Sequence, residues 1–175
     1  TNLSGEEPGE PDFRHIIQSP TRESQGGRPV TDCTTTEIEF SPLKRRKVIA
    51  EFSGGEITSD GGALLLREAD RQLGLIKQVD GVVEDFRRQD MVQHSQLSIL
   101  RQRVYGLALG YEDLNDHQKL RKNGAIQTAV DCLGQLASAP TLCRMENAVS
   151  RESAVAIHKV MVEQFIDSFD QPAPQ

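Results

Sequence analysis

The sequence predicts a mainly α-helical protein: a helical bundle with a helix-turn-helix-like pair, preceded by a short β-hairpin and a disordered leader. Apolar residues recur at steps of three and four through residues 57–170, which is the period of an amphipathic helix. Residues 34–56 instead contain two clusters of β-favouring residues. Residues 1–33 are rich in Gly, Pro, Ser, Thr and acids, so they cannot bury enough apolar surface to offset the entropy lost on ordering.

The charge and composition limit the class of protein. The net charge is −6, and residues 1–40 alone carry eight acids and three bases, a net −5, which leaves −1 for the rest of the chain. A nearly neutral domain with local basic groups is compatible with phosphate binding. No apolar run approaches the roughly 20 residues of a membrane span, and the three cysteines have no CxxC or zinc-ligand spacing. These features predict a soluble, cytoplasmic protein.

Residues 36–40 and 48–52 are predicted to form the hairpin. A basic run lies at its turn: Lys44, Arg45, Arg46 and Lys47. This run can contact DNA phosphates. It can equally be a charged edge that prevents strand pairing, or a solvated turn.

A glycine-rich segment then introduces the first helix. Ser59 or Asp60 is expected to cap a helix that runs through Leu73 and is stopped by Gly74. Glycines before a helix can also cradle a phosphate. However, the segment contains neither the Lys-Ser/Thr of a P-loop nor a GxGxxG pattern, so a turn and helix cap is the preferred interpretation.

The stretch from Asp90 to His117 is predicted to contain the central core helix, with Asp90 and Gln93 at its start, after a helix from Ile76 to Phe86. Gly106 and Gly110 are expected to let a neighbouring backbone approach closely. Arg101 and Arg103 project from the flank of the helix opposite its apolar side, as candidate phosphate contacts. That apolar side has residues at helical steps, which other helices must cover: Leu97, Leu100, Val104, Leu107, Ala108 and Tyr111.

The last helices are predicted from caps and from the same period. Helices are expected at 114–120 and 125–133, and Ser138 with Pro140 is expected to open a helix to residue 148. Ser150 opens a long final helix. Its predicted inner stripe is Val155, His158, Val162, Phe165 and Phe169.

The helices predicted at 125–133 and 139–148, joined by a small turn, have helix-turn-helix proportions. The recognition helix of that motif places its first residues on base edges. Thr141 and Arg144 would then share an outward face, where Thr141 contacts a thymine methyl or a phosphate and Arg144 contacts guanine. Many helical bundles also contain two short helices at an angle, so the residues leave both interpretations open.

The sequence contains no pattern that indicates a catalytic residue or a metal site. Glu112, Asp113 and Asp116 lie at the head of a predicted helix, where the helix dipole favours acids. The histidines have no His or Cys partner at metal spacing, and the sequence contains no GxSxG elbow. We therefore predict no catalytic residue and no metal site.

Three segments resemble the amino-terminal region of bacterial insertion-sequence transposases with a DDE domain, the group 1 DDE family. They are FSGGEITSDGGALLLREAD at 52–70, LRQRVYGLALGYEDLNDHQKLRKN at 100–123 and SAPTLCRMENAV at 138–149. The resemblance covers roughly 48–169 and implies a protein that binds the terminal inverted repeats of its own element. It also implies DNA cleavage and joining at a two-metal, Mg²⁺-dependent site, a homodimer in the transposition complex, and a location in the bacterial cytoplasm with the nucleoid.

In that family the first catalytic aspartate follows the long helix that corresponds to 150–169, and this chain stops at Gln175. We therefore expect a fragment that is not catalytically active alone and holds no cofactor, with 171–175 as a truncated linker. The expected function of 57–170 is binding of double-stranded DNA. The alternatives are a helical dimerisation or interaction module of the transposase, or a non-functional remnant.

Overall fold

The computed structural model describes residues 37–51 and 57–170. The mainly helical class and the short hairpin are confirmed, whereas the predicted leader (1–33) and linker (171–175) lie outside the described residues. No helix in the described part is long and apolar enough to cross a bilayer. The elements are β1 (Ile38–Leu43), β2 (Arg46–Ala50), α1 (Gly62–Leu73), α2 (Leu75–Val82), α3 (Gln96–Ala108), α4 (Asp116–Leu120), α5 (Gly124–Ala129), α6 (Ala139–Ala148) and α7 (Arg151–Asp170).

The hairpin is fixed to the first helix. Strands β1 and β2 pair antiparallel, with an irregularity between Phe40 and Leu43, whose side chains are both buried. The buried guanidinium of Arg67 in α1 reaches back to β1. Its Nη1 donates to the carbonyl of Ser41 at 2.5 Å and its Nη2 to the carbonyl of Pro42 at 3.2 Å. The basic turn is therefore held at a defined place on the helical body.

The helices enclose one main apolar core. Helix α1 packs on α5, α2 packs on α3 and α7, and α6 packs on α3 and α4. A second, smaller cluster is formed under α6 by Ile99, Ala137 and Leu142. The main core contains Ala63, Ile76, Leu100, Tyr105, Leu120, Ile126, Ala129, Val130 and Leu136.

An ionic network joins three helices across this core. Asp131, just after α5, accepts hydrogen bonds from Arg67 Nη2 at 2.8 Å and from Arg101 Nη1 at 3.0 Å. Arg101 Nε also donates to Asp70 of α1 at 3.0 Å. Asp131 has a φ of 59°, a left-handed conformation that Asp tolerates better than most residues. The backbone there turns the carboxylate toward both arginines.

The start of α1 differs from the prediction. Neither Ser59 nor Asp60 caps the helix through its side chain. The buried carboxylate of Asp60 instead accepts hydrogen bonds from Tyr111 Oη at 2.8 Å and from Asn123 Nδ2 at 2.5 Å. Its oxygens therefore join α1 to the segments around α4. The predicted stop at Gly74 is confirmed, with a φ of 66°.

Helix α3 begins later and buries a different face than predicted. It starts at Gln96, where Ser95 Oγ accepts a hydrogen bond from the Ser98 amide at 3.2 Å, whereas Asp90 lies in a short 3₁₀ turn. Within the predicted apolar stripe, the exposed positions are Val104, Leu107 and Ala108. The buried positions of the whole helix are Ile99, Leu100, Gln102, Tyr105 and Gly106. Polar Gln102 takes an inward position because its amide is hydrogen-bonded there.

The final helix also turns its predicted inner stripe outward. The predicted positions are all exposed: Val155, His158, Val162, Phe165 and Phe169. Helix α7 packs on α2 through its opposite side, where Val160 is buried and Ala156 and Ile157 are half-buried. The prediction of the inner face was wrong because the apolar residues of α7 lie on more than one side, and α2 covers the side with Ala156, Ile157 and Val160.

Candidate nucleic-acid interface

Helix α6 is held by one face and leaves the other open. Leu142 is fully buried, and Met145 packs against both core clusters. On the opposite side Cys143, Arg144 and Asn147 are exposed. Because these positions lie within one turn of each other, they form a single polar face of the kind that a groove of DNA can accept.

The entry to α6 is fixed by a buried side chain of α3. The amide of Gln102 accepts a hydrogen bond from the Ala137 amide and donates one to the Ala137 carbonyl, both at 3.0 Å. Ala137 directly precedes Ser138, the first residue before α6. Gln102 Nε2 also lies 3.4 Å from Nδ1 of the fully buried His117. This buried pair positions the first turn of the helix.

Burial governs the protonation of His117. It lowers the pKa of the imidazole, and the nearby Arg103 lowers this pKa further. The ring packs directly over Gly106, where an added Cβ would lie 2.5 Å from its Cε1. Gly106 therefore admits an imidazole ring, rather than the neighbouring backbone that the sequence predicted.

The two residues predicted to contact bases differ in exposure. Arg144 is exposed, and its guanidinium makes no hydrogen bond or ion pair with any described residue. Thr141 is half-buried, and its Oγ1 shares a hydrogen bond of 3.0 Å with Ser138 Oγ. The structure therefore leaves Arg144 free to reach a partner, whereas the Thr141 hydroxyl is engaged within its own turn.

Asn147 belongs to the same open face and was missed in the sequence. Its Nδ2 donates to the Cys143 carbonyl at 2.9 Å and lies 3.2 Å from Cys143 Sγ. Asn is the side chain that pairs with both edge atoms of adenine in the major groove. Its position three residues after Arg144 was the sequence signal that could have revealed it.

The connection before α6 is longer than predicted. Residues 130–138 separate α5 from α6, whereas a helix-turn-helix uses a turn of about three or four residues. Helix α5 packs mainly on α1, and α6 packs on α3 and α4. The two helices are therefore positioned by different neighbours.

The basic run of the hairpin is solvent-exposed. Lys44, Arg45, Arg46 and Lys47 all have exposed side chains. Lys47 forms an ion pair with Glu39 of β1 at 3.4 Å, on a surface where both groups are well hydrated. Lys44 lies in the turn with a φ of 56°. The run forms a compact cationic tip on the fixed hairpin.

Arg101 and Arg103 have partners inside the domain. Arg101 bonds to Asp70 and Asp131 in the ionic network. Arg103 forms an ion pair with Glu146 of α6 and donates to the carbonyl of Glu112 at 3.0 Å. A guanidinium satisfied by such charge-assisted bonds has little capacity left for a phosphate. Their phosphate contacts remain a prediction, and in this structure they join helices.

A surface pocket of about 260 Å³ lies beside the first turn of α6. Arg87 is fixed at its wall by Asp85, which accepts from Nε at 2.6 Å and from Nη2 at 2.7 Å. Burial lowers the pKa of His94, and the charges of Arg121 and Arg87 lower it further. The lining residues are Arg87, Arg88, Met91, Val92, Gln93, His94 and Thr141.

Metal ligands do not gather in the described part of the chain. Over 37–51 and 57–170, no group of three His, Cys, Asp or Glu side chains lies close enough together to hold a metal ion.

Comparison with known proteins gives one finding. A family model described as "Transposase DDE domain group 1" matches residues 40–175. No curated protein and no solved structure matches the chain. The matched range includes most of the hairpin, the ionic network and the open face of α6.

Proposed function

The chain belongs to the group 1 family of transposase DDE domains, and from this premise we propose that the helical domain binds double-stranded DNA at the terminal inverted repeats of its own mobile element. The main support is the open face of α6, which carries at Arg144 a guanidinium that pairs with none of the described residues. A transposase must recognise the ends of its element before any cleavage, and an exposed helix with a free arginine suits that task.

The proposed contacts fall into two classes. On α6, Arg144 reads a guanine edge and Asn147 reads an adenine, with Thr141 at the start of the helix near a thymine methyl or a phosphate. The hairpin tip, Lys44 to Lys47, contacts backbone phosphates and carries no sequence information. Since the hairpin is anchored on α1 by Arg67, its distance from α6 is set by the fold.

Arg144→Ala and Arg45→Ala distinguish these classes in a gel-shift titration of the full chain. Arg144→Ala is expected to weaken binding to the inverted repeat by about 1–3 kcal/mol and to relax one base position. Arg45→Ala is expected to weaken repeat and scrambled DNA alike. Lys159→Ala is the control, because Lys159 lies on α7 in an exposed ion pair with Glu163. Equal weakening of both DNAs by Arg144→Ala would remove its base-reading role.

A second candidate function is dimerisation through α7, by pairing with a second copy of the same helix. Val155, Val162 and Phe169 recur every seven residues, with His158 and Phe165 between them, and all are exposed. This is the spacing of a coiled-coil seam. Sedimentation of the chain should then give a dimer, and Phe165→Glu should give a monomer. A monomeric wild-type chain would exclude this function.

Mg²⁺ is the metal that DDE transposase domains generally use. When bound, a divalent ion activates the attacking oxygen and stabilises the leaving oxygen in phosphoryl transfer. We propose that the part of the protein described here contributes recognition of the DNA ends. We expect no Mg²⁺-dependent cleavage by the isolated chain, and cleavage of repeat DNA that requires Mg²⁺ would contradict this assignment.

A further inference from the structure

We propose that the pocket beside α6 holds a phosphodiester group of the DNA backbone, next to the bases that α6 contacts. This inference rests on the proposed function and adds a site formed mainly by the segment 87–94. The pocket occupies about 260 Å³. This volume is large enough to admit a phosphodiester group.

The lining has the chemistry of an anion site. It combines the guanidinium groups of Arg87 and Arg88 with the side chains of Gln93, His94 and Thr141. Both guanidinium groups are already paired with carboxylates beside the lining, so an anion gains a guanidinium only by exchange with one of these carboxylates. Arginine is the preferred partner of phosphate because its planar fork presents paired donors. Met91 and Val92 supply an apolar wall, which suits the sugar carbons on either side of a backbone phosphate.

The two arginines differ in how firmly their guanidinium groups are held. Arg87 is locked, because Asp85 holds one side of the guanidinium and Nη1 donates to the His94 carbonyl at 3.0 Å. Arg88 pairs with Asp90 at 2.8 Å on the open surface, where the two side chains are 75% and 64% exposed. Exposed pairs contribute little to stability. Arg88 can therefore exchange Asp90 for a phosphate, while Arg87 maintains the shape of the wall.

The pocket lies next to the residues that are proposed to contact bases. Thr141, one of its lining residues, lies in the first turn of α6, and Arg144 follows one turn later. Contacts from side chains around a helix N-terminus to phosphate fix the register of a protein on the duplex. The positive end of the helix dipole also favours an anion there. A phosphate in this pocket would orient α6 so that Arg144 and Asn147 face the bases.

The test is the salt dependence of DNA binding by the full chain and by Arg88→Ala. Each neutralised phosphate contributes about 0.9 to the slope of log K against log salt concentration. We expect Arg88→Ala to lower that slope by about 1 and to weaken repeat and scrambled DNA by the same factor, about threefold to tenfold at 0.15 M salt. Lys159→Ala, an exposed cation on α7, is expected to leave the slope unchanged. Arg88→Glu should lower affinity further.

The outcomes separate this inference from the proposed function. If the wild-type chain prefers the repeat but Arg88→Ala retains the full slope, the phosphate site is wrong and the proposed function stands. If the wild-type chain does not bind DNA, both fail. An NMR titration with inorganic phosphate provides the second arm. Saturable shifts of the His94 ring that Arg88→Ala removes, together with an unchanged DNA slope, would assign the pocket to free phosphate and overturn the DNA assignment.

Discussion

The close contact between Gly106 and His117 makes Gly106→Ala a sharp test of the core. A Cβ at position 106 would lie 2.5 Å from His117 Cε1 and 2.9 Å from Nε2, whereas ordinary contact begins at 3.4 Å. The ring must therefore retreat by about 0.9 Å, although it is fully buried. Overpacking of this kind costs about 1–3 kcal/mol, and the helix gains about 1 kcal/mol from alanine. We expect a net loss of up to about 2 kcal/mol.

The assay is urea unfolding of the full chain followed by circular dichroism. Gly81→Ala is the matched control, because Gly81 is also helical but has open space at its Cβ position. It is expected to be neutral or to stabilise by up to about 1 kcal/mol. In a double-mutant cycle, His117→Ala should cost less with Ala at 106 than with Gly. If Gly106→Ala and Gly81→Ala shift the unfolding free energy equally, the contact does not constrain the core.

Three further changes test the buried polar groups, each by urea unfolding. Asp131→Asn keeps a side chain that tolerates the φ of 59° at this position but removes the charge facing Arg67 and Arg101. We therefore expect the unfolding free energy to fall by about 1–3 kcal/mol. An unchanged urea midpoint would show that the network is dispensable. Asn123→Ala removes the cap of the Ala125 and Ile126 amides and should cost about 1–2 kcal/mol, whereas no loss would contradict the cap. Because burial lowers the pKa of His117 in the folded state, the unfolded state takes the proton first. The contribution of neutral His117 to the unfolding free energy should therefore be fully present above about pH 6.5 and should fall as the pH drops from that value toward the folded pKa. The unfolding free energy should depend less steeply on pH in His117→Gln. Equal slopes in the two proteins would assign the pH dependence to another group.

Local signals in the sequence were sufficient to predict the hairpin and several helix ends, although not the starts of α1 and α3. The glycine that ends α1 and the proline in the first turn of α6 lie where the structure has them. The hairpin around Lys44 also forms as predicted. These features depend on the conformational preferences of a few adjacent residues, which the sequence contains directly.

The inward faces of α3 and α7 could not be predicted in the same way. Periodicity identifies an apolar stripe but not which neighbour covers it. In α3 the buried face includes Gln102, whose amide is satisfied by the Ala137 backbone. In α7 the side that packs on α2 contains Val160 and not the predicted stripe. These outcomes depend on partners distant in sequence.

The partners of the basic residues also could not be predicted from the local sequence pattern. A cation in the sequence is equally consistent with phosphate binding and with an internal ion pair. Arg101 and Arg103 have carboxylate partners more than 30 positions away, so their internal role was not visible in the local pattern. Arg144 could be placed on an outward face because the helical period within one short helix determines which residues share a face.

The most direct test of the proposed function is a competition gel shift with the full chain, its own inverted repeat and scrambled DNA, at about 0.15 M salt because phosphate contacts depend steeply on ionic strength. We expect the repeat to be preferred by about tenfold or more, as the discrimination of one or more base contacts requires. Equal affinity for the two DNAs would contradict DNA-end recognition by this domain.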